Sequence, residues 1–306
     1  MKRRLNCEGY ELDVFLACTN PAMTGENRGL KEREANFNNS KVVRLIGHLQ
    51  KDLWHQENLI PPGLKLAFQL VHTRPAFFIK TGTPADRAVQ VQYNYHIFSL
   101  RFISQFKELS TELVTSHMDI VMNKNRNYII HHTKLTLKTL NFPSAGTSYT
   151  FDNVFKGKLP DRIALAMVAN AAANGCYNEK AFNFQNCGLN YIAVSANSDL
   201  ISPILLEPNF GTNDYLREYL SAMESMVNEP GPSTRAITPT QWASEHKIYV
   251  LTVKPGPSGR LHSKQLNCDI RQEMKFATAL TATGTMLLLS EEPTTLEIAQ
   301  FKHELI

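Results

Sequence analysis

Two apolar runs, Arg162 to Val168 and Leu189 to Ala196, stand on either side of a long polar excursion, and this spacing constrains the fold more than any other stretch. Both runs are of strand length and rich in aliphatic residues. The first is released by Leu159-Pro160-Asp161 and followed by a small-residue loop, Ala169 to Gly175; the second is entered through Asn183-Phe184-Gln185-Asn186. Apolar runs bounded by such polar clusters read as strands meeting at a structural corner. Pro203 and Pro208 then carry the chain out extended, because proline fixes φ and has no N–H to give a ladder.

Period-two patterning recurs through the chain. Val42 to Leu49 and Leu64 to Val71 read as strands separated by Pro61-Pro62-Gly63, with Ala76 to Lys80 a short third. Val89, Val91, Tyr93, Tyr95 and Ile97 alternate with polar residues, which gives one buried and one wet face. The phase flips after Ile97, where Phe98, Leu100 and Phe102 are the apolar positions; a bulge would explain the flip, and so would a strand that changes covering partner. The aromatic stripe Tyr93, Tyr95, Phe98 and Phe102 lacks interleaved Lys and Arg, so it reads as core rather than as a base-stacking platform.

Further strands are predicted at Tyr128 to Leu140, Ser148 to Phe151, Lys247 to Val253, Leu266 to Phe276, Thr285 to Leu289 and Thr295 to Phe301. One helix is predicted over Phe106 to His117. A second follows Thr212 or Asn213, with Tyr215, Leu216, Tyr219, Leu220, Met223 and Val227 at helical spacing, and Pro230-Gly231-Pro232 ends it. Its apolar face is expected to cover an open sheet edge. About ten strands, two short helices and long connections predict an all-β chain of Greek-key or jelly-roll sandwiches rather than a meander or a βαβ fold. Residues 1 to 40 are polar and without periodicity, the expected signature of a fragment or a poorly ordered end.

Composition excludes several functions. A net charge of +4 over 306 residues is small and dispersed, so no direct, specific nucleic-acid binding is expected, and Lys2-Arg3-Arg4 reads as a solvated terminus. The five cysteines are Cys7, Cys18, Cys176, Cys187 and Cys268. They are widely spaced and form no CxxC, so reduced thiols and an intracellular location are expected. The apolar run Met286 to Leu289 is far short of the roughly 20 residues that a bilayer requires, so no membrane partner is expected. Glu8, Glu11 and Asp13 break any signal-peptide core after Met1.

The chemistry-bearing residues form no recognisable site. A cupin-type metal centre needs His-x-His on one strand, whereas His131 and His132 are adjacent and point to opposite faces. There is no Gly-x-Ser-x-Gly elbow, no cysteine at a helix start and no phosphate loop at Gly82-Thr83-Pro84 or Gly256-Pro257-Ser258-Gly259. Glu291-Glu292 and Asp119 have no acid partner at a useful spacing. The prediction is therefore no catalytic residue, no cofactor-binding residue, no metal ligand, no cofactor and no small-molecule substrate.

Several pieces of the stretch from Leu159 to Phe210 resemble the major capsid proteins of Polinton (Maverick) virus-like transposons. They are Leu159-Pro160-x-Arg162-Ile163, Asn174-Gly175-x-Tyr177, Asn183-Phe184, Leu189-Asn190-Tyr191 and Leu206-Glu207-Pro208-Asn209-Phe210. Asp214 to Tyr219 resembles that family's short helix. Weaker similarity runs through Gly29-Leu30-Lys31, Val42 to Gly47, Leu64 to Phe77 and Lys275-Phe276-Ala277. The resemblance implies a double jelly roll, homotrimers or assembly with full-length capsid relatives, and location in a virion once assembled. It further implies an N-terminally truncated chain: residues 1–107 as the remnant of a first jelly roll with a divergent leader, and 108–306 as the second jelly roll with a linker helix. The expected role is a structural, non-enzymatic capsid-like subunit. Two alternatives are a domesticated jelly-roll module that binds a ligand or protein partner, and a metal-dependent cupin-like enzyme. A concave polar and aromatic pocket would favour the first, converging histidines and acids the second.

Overall fold

Beyond Tyr128 the period-two pattern becomes two facing sheets. The computed structural model describes residues 35–47, 60, 66–79, 93–104, 106–122, 128–177, 181–196, 199–200, 206–227, 238–252 and 267–298. In chain order these hold a 3₁₀ turn (Asn38–Ser40), α1 (Pro75–Phe78), α2 (Thr111–Met122), β1 (Tyr128–Phe142), β2 (Ser148–Phe151) and β3 (Lys156–Lys158). There follow β4 (Arg162–Ala169), α3 (Asn170–Asn174), β5 (Leu189–Ala196), β6 (Asp199–Leu200), α4 (Leu216–Val227), α5 (Pro239–Glu245), β7 (Ile248–Thr252), β8 (Asn267–Phe276) and β9 (Gly284–Ile298).

One sheet has the order β1-β9-β4-β7; the other has β2-β8-β5-β6, with β3 also paired to β8. Every ladder is antiparallel. β2 and β3 pair with successive stretches of β8 and so form one interrupted edge. At the interruption Val154 N donates to Ile270 O at 2.8 Å, and Ile270 N donates to Phe155 O at 3.0 Å. From β1 the chain crosses to the opposite sheet at each further step, except from β2 to β3 along the interrupted edge and at the β5–β6 hairpin. Two four-stranded antiparallel layers threaded in this order form a jelly roll.

The inner faces make one core. Ile163, Leu165 and Met167 of β4 meet Tyr249 and Leu251 of β7 and Met286 and Leu288 of β9; the other sheet contributes Ile192, Val194, Ile270 and Met274, all essentially buried. Burying each aliphatic side chain contributes about 1.5–3 kcal/mol. Thr285 and Ser290, trapped among them, are paired, whereas the buried Tyr249 hydroxyl has no partner among the described residues. Thr285 Oγ1 lies 2.9 Å from both Asn141 Oδ1 and Asn170 Oδ1, and Ser290 Oγ reaches Thr136 O. On the outer face, Arg162 Nε donates to Glu291 Oε2 at 2.6 Å across directly paired positions of β4 and β9.

The all-β reading holds, with departures in detail. The predicted strands at Thr285 to Leu289 and Thr295 to Phe301 are one continuous strand as far as Ile298. Pro293 sits inside it, opposite Thr133. β4 pairs with β9 only up to Glu291, so Pro293 lies where β9 has one partner, and its missing N–H breaks no second ladder. The loop Ala169 to Gly175 contains the single-turn α3, in which three consecutive alanines supply helix propensity. Leu216–Val227 and Thr111–Met122 realise the two predicted helices, the second of them starting later than expected.

Before Thr111 the predicted strands do not form among the described residues. Residues 42–47, 66–73 and 93–104 carry no ladder. Where Ala76 to Lys80 read as a strand, Pro75–Phe78 is a helical turn, because Pro75 occupies the first helical position that suits its fixed φ. The parts of the predicted strands at 48–49, 64–65, 80 and 89–92 lie outside the described residues.

Candidate assembly surface

Two features stand out: a sealed polar and aromatic cluster that continues the core beneath α4 and α5, and an open apolar surface ahead of α2. Thr238-Pro239-Thr240-Gln241 starts α5 with a reciprocal cap. Gln241 N donates to Thr238 Oγ1 at 3.2 Å and Thr238 N donates to Gln241 Oε1 at 3.1 Å. The cap aims Trp242, fully buried, into the sandwich, 5.7 Å from the Tyr249 ring and edge-on to it. Phe210, Tyr215 and Tyr219 close around the same indole at ring separations of 6.5, 6.0 and 6.3 Å.

α4 lies against β7, the outer strand of its sheet, and Ser221 Oγ donates to Val250 O at 2.8 Å. A helix at the sheet edge was the expected use of this segment. Its buried side is rotated from the predicted stripe: Glu218 and Ala222 face inward, whereas Leu216 and Leu220 are exposed. The turn before it is ordered by Asn209, whose Oδ1 accepts from Gly211 N and Thr212 N.

Burial sets the electrostatics here. It pushes the Glu218 carboxyl above its ordinary value, against the opposing pull of backbone hydrogen bonds and Arg217. Burial raises the Tyr249 phenol well above its usual range, with Glu218 and Cys187 adding to the effect. Burial likewise raises the Cys187 thiol, while Lys247 pulls the other way. Lys247 is itself buried; its Nζ donates to Ser244 O at 2.8 Å and lies over the Phe210 ring. Glu218, Tyr249 and Lys247 are too enclosed to meet a substrate from solution, so this cluster fastens helices to the sandwich.

Glu218 gives the cluster a pH signature. A carboxyl whose folded value is raised above the unfolded value, near 4.5, keeps its proton longer in the folded chain. The stability this group contributes is fully present below about pH 4.5 and is lost as pH rises through the folded value, because ionising the buried group costs free energy. Glu218→Gln is expected to flatten that decline and to melt no lower than the parent at pH 7. Melting temperatures of both proteins from pH 4 to 8 test this, and identical slopes would refute it.

The open surface is larger. Among the described residues, most exposed large apolar side chains lie between Phe37 and Leu113; the sandwich and α4 expose only Ile129, Leu137, Leu216 and Leu220. Phe98 is 75%, Ile103 77% and Phe106 92% exposed. The stripe predicted as core is therefore not enclosed, since Phe98 and Phe102 stand in solvent. Soluble monomers seldom leave contiguous apolar patches of this extent uncovered. Residues 66–73 and 93–104 run side by side: Phe68 and Phe102 are 4.5 Å apart by ring centroid, and His72 Nδ1 is 2.8 Å from the Tyr95 hydroxyl. Between them opens a groove lined by Phe68, Leu70, His72, Tyr95, Ile97 and Leu100. Phe77 against Phe182 and Tyr93 against Tyr177 tie this part to the α3 end of the sandwich.

The residues weighed for chemistry are not brought together. His131 is exposed and His132 is half-buried on the other face of β1. Glu291 pairs with Arg162, and Cys176 and Cys187 are both half-buried. Among the described residues no group of three or more His, Cys, Asp or Glu is placed to hold a metal, and no helix is long and apolar enough to cross a membrane. Cys7 and Cys18 lie outside the described residues.

No family model and no curated protein matches the chain. Among solved structures it is similar to viral capsid proteins. The PBCV-1 virus capsid aligns at 12% identity and a TM-score of 0.31, over 57% of this chain and 49% of that one. PBCV-1 VP54, fitted into a reconstruction of the virophage Sputnik, aligns at 12% and 0.35, over 63% and 53%. The mavirus major capsid protein aligns at 9% and 0.31, over 56% and 39%. The chain thus spans about half the length of the first two and less of the third. The jelly-roll assignment of residues 128–298 rests on their strand order.

Proposed function

We propose that the protein is a structural, non-enzymatic, capsid-like subunit that acts by self-assembly. The observation that carries this reading is the unequal distribution of apolar surface: the sandwich buries its own, while the described residues between 66 and 106 hold theirs out to solvent. A surface of that kind is stable in water only when covered. Kinship with Polinton-type capsid proteins, supported by the Leu159 to Phe210 motifs, gives the finer form. Residues 1–107 belong to a first jelly-roll unit and 108–306 to a second, three copies make a capsomer, and the assembled product is a virion shell.

Self-association carries the test. Sedimentation over a hundredfold range of concentration is expected to show mass rising above a single chain to a dimer, a trimer or a larger multiple. A single-chain mass throughout would end the reading. The groove between 66–73 and 93–104 favours a second reading, a jelly-roll module that holds a partner, since His72, Tyr95 and His96 add polar and aromatic groups to its wall. The apolar surface extends beyond the groove to Ile103 and Phe106, which favours assembly.

A further inference from the structure

Residues 66–73 and 93–103 have the side-chain pattern of a β-ribbon without forming its ladder. Phe68, Leu70 and His72 take every second position; opposite them stand Leu100, Ile97 and Tyr95, whose spacing follows the phase flip after Ile97. The contacts Phe68–Phe102 and His72–Tyr95 run in opposite chain directions, as in an antiparallel pair. Neither segment carries a ladder. A lone two-stranded ribbon is marginal in water and needs a second layer over its apolar face.

We infer that this layer comes from a second copy of the chain. The identical ribbon packs face to face across a two-fold axis, and both ribbons gain strand hydrogen bonds as they meet. The inference rests on the self-assembly reading and names its contact. Charge allows it: Arg101 is the only Lys, Arg, Asp or Glu within 66–73 and 93–104, so two identical faces meet without like-charge repulsion. The same lack of basic residues disfavours an anionic polymer as the occupant. Area allows it as well. With roughly 150–250 Å² for a fully exposed large side chain, the exposures of Leu66, Phe68, Leu70, Ile97, Phe98, Leu100 and Phe102 leave roughly 600–1,000 Å² open on this face, around the roughly 800 Å² per partner of a standard interface. A two-fold contact is self-complementary, so one sequence suffices for both sides.

The test combines Phe98→Asp with Phe102→Asp in the full chain, which places two carboxylates on each face. Sedimentation is read together with amide hydrogen exchange at 93–103, and melting monitored by tryptophan fluorescence checks that the sandwich remains folded. Wild-type protein is expected to associate, and its amides at 93–103 to become at least tenfold more protected as concentration rises. The double variant is expected to need at least tenfold more protein to associate, with no such gain in protection. Association of the wild type that the variant leaves unchanged would overturn this contact and leave self-assembly standing. A wild type that stays a single chain would overturn both. Protection at 93–103 independent of concentration would assign the cover to another part of the same chain, and binding of wild-type protein to neutral phosphatidylcholine vesicles without association would assign it to a lipid surface; either result overturns the inference.

Discussion

Trp242→Ala is expected to destabilise the protein by about 3–5 kcal/mol, the range for deleting a large buried aromatic side chain. The indole is wholly buried and touches elements from three parts of the chain: Phe210 from the turn after β6, Tyr215 and Tyr219 beside and within α4, and Tyr249 on β7. Its removal leaves a cavity whose walls are rings held by separate elements, so collapse is poor and the cost stays high. Trp242→Phe separates packing from hydrogen bonding. Among the described residues the indole Nε1 has no hydrogen-bond partner; a phenyl ring keeps most of the contact area and removes a donor whose burial costs about 1–3 kcal/mol. The Phe variant is therefore expected to recover most of what the Ala variant loses. Urea denaturation of the three proteins checks this, and equal losses for Phe and Ala would show that the ring stack contributes little.

The sandwich was legible in the sequence because alternation is local. Ile163, Leu165 and Met167, or Ile270, Gln272 and Met274, share a face by the geometry of a strand alone. α5 was missed, although Thr238-Pro239-x-Gln241 is a capping box with proline at the first helical position, a signal that period-two reading passes over. The inward turn of Glu218 was not legible. A glutamate at helical spacing between Leu216 and Leu220 reads as solvated, and only the placement of α4 against β7 and Tyr249 sends it inward. The fate of Tyr93, Tyr95, Phe98 and Phe102 marks a different limit. Periodicity tells which residues share a face but not what covers it, so a stripe that reads as core stands half in solvent. The absence of a catalytic or ligand site remains an expectation from the sequence and part of the proposed structural role.

The β1–β9 junction offers a prediction whose effect depends on two residues at once. Phe142 and Gly284 are direct partners across the ladder, and a Cβ added to Gly284 would fall well inside van der Waals contact with the Phe142 ring. That ring is fully buried and wedged between Tyr149 and Phe276, with centroids 5.7 and 5.8 Å away, so it has no room to swing aside. Gly284→Ala is therefore expected to cost about 1–3 kcal/mol as overpacking, although alanine is ordinarily the better strand residue. Phe142→Ala alone opens a cavity and is expected to cost about 3–5 kcal/mol. In the double variant the new methyl group occupies space the ring has left. The combined loss should then fall short of the sum of the single losses by at least about 0.5 kcal/mol, the lower range for residues in contact. Strict additivity in a denaturation cycle would mean that the ring does not rest on the glycine, and that the chain before α2 meets a sandwich closed differently at this end.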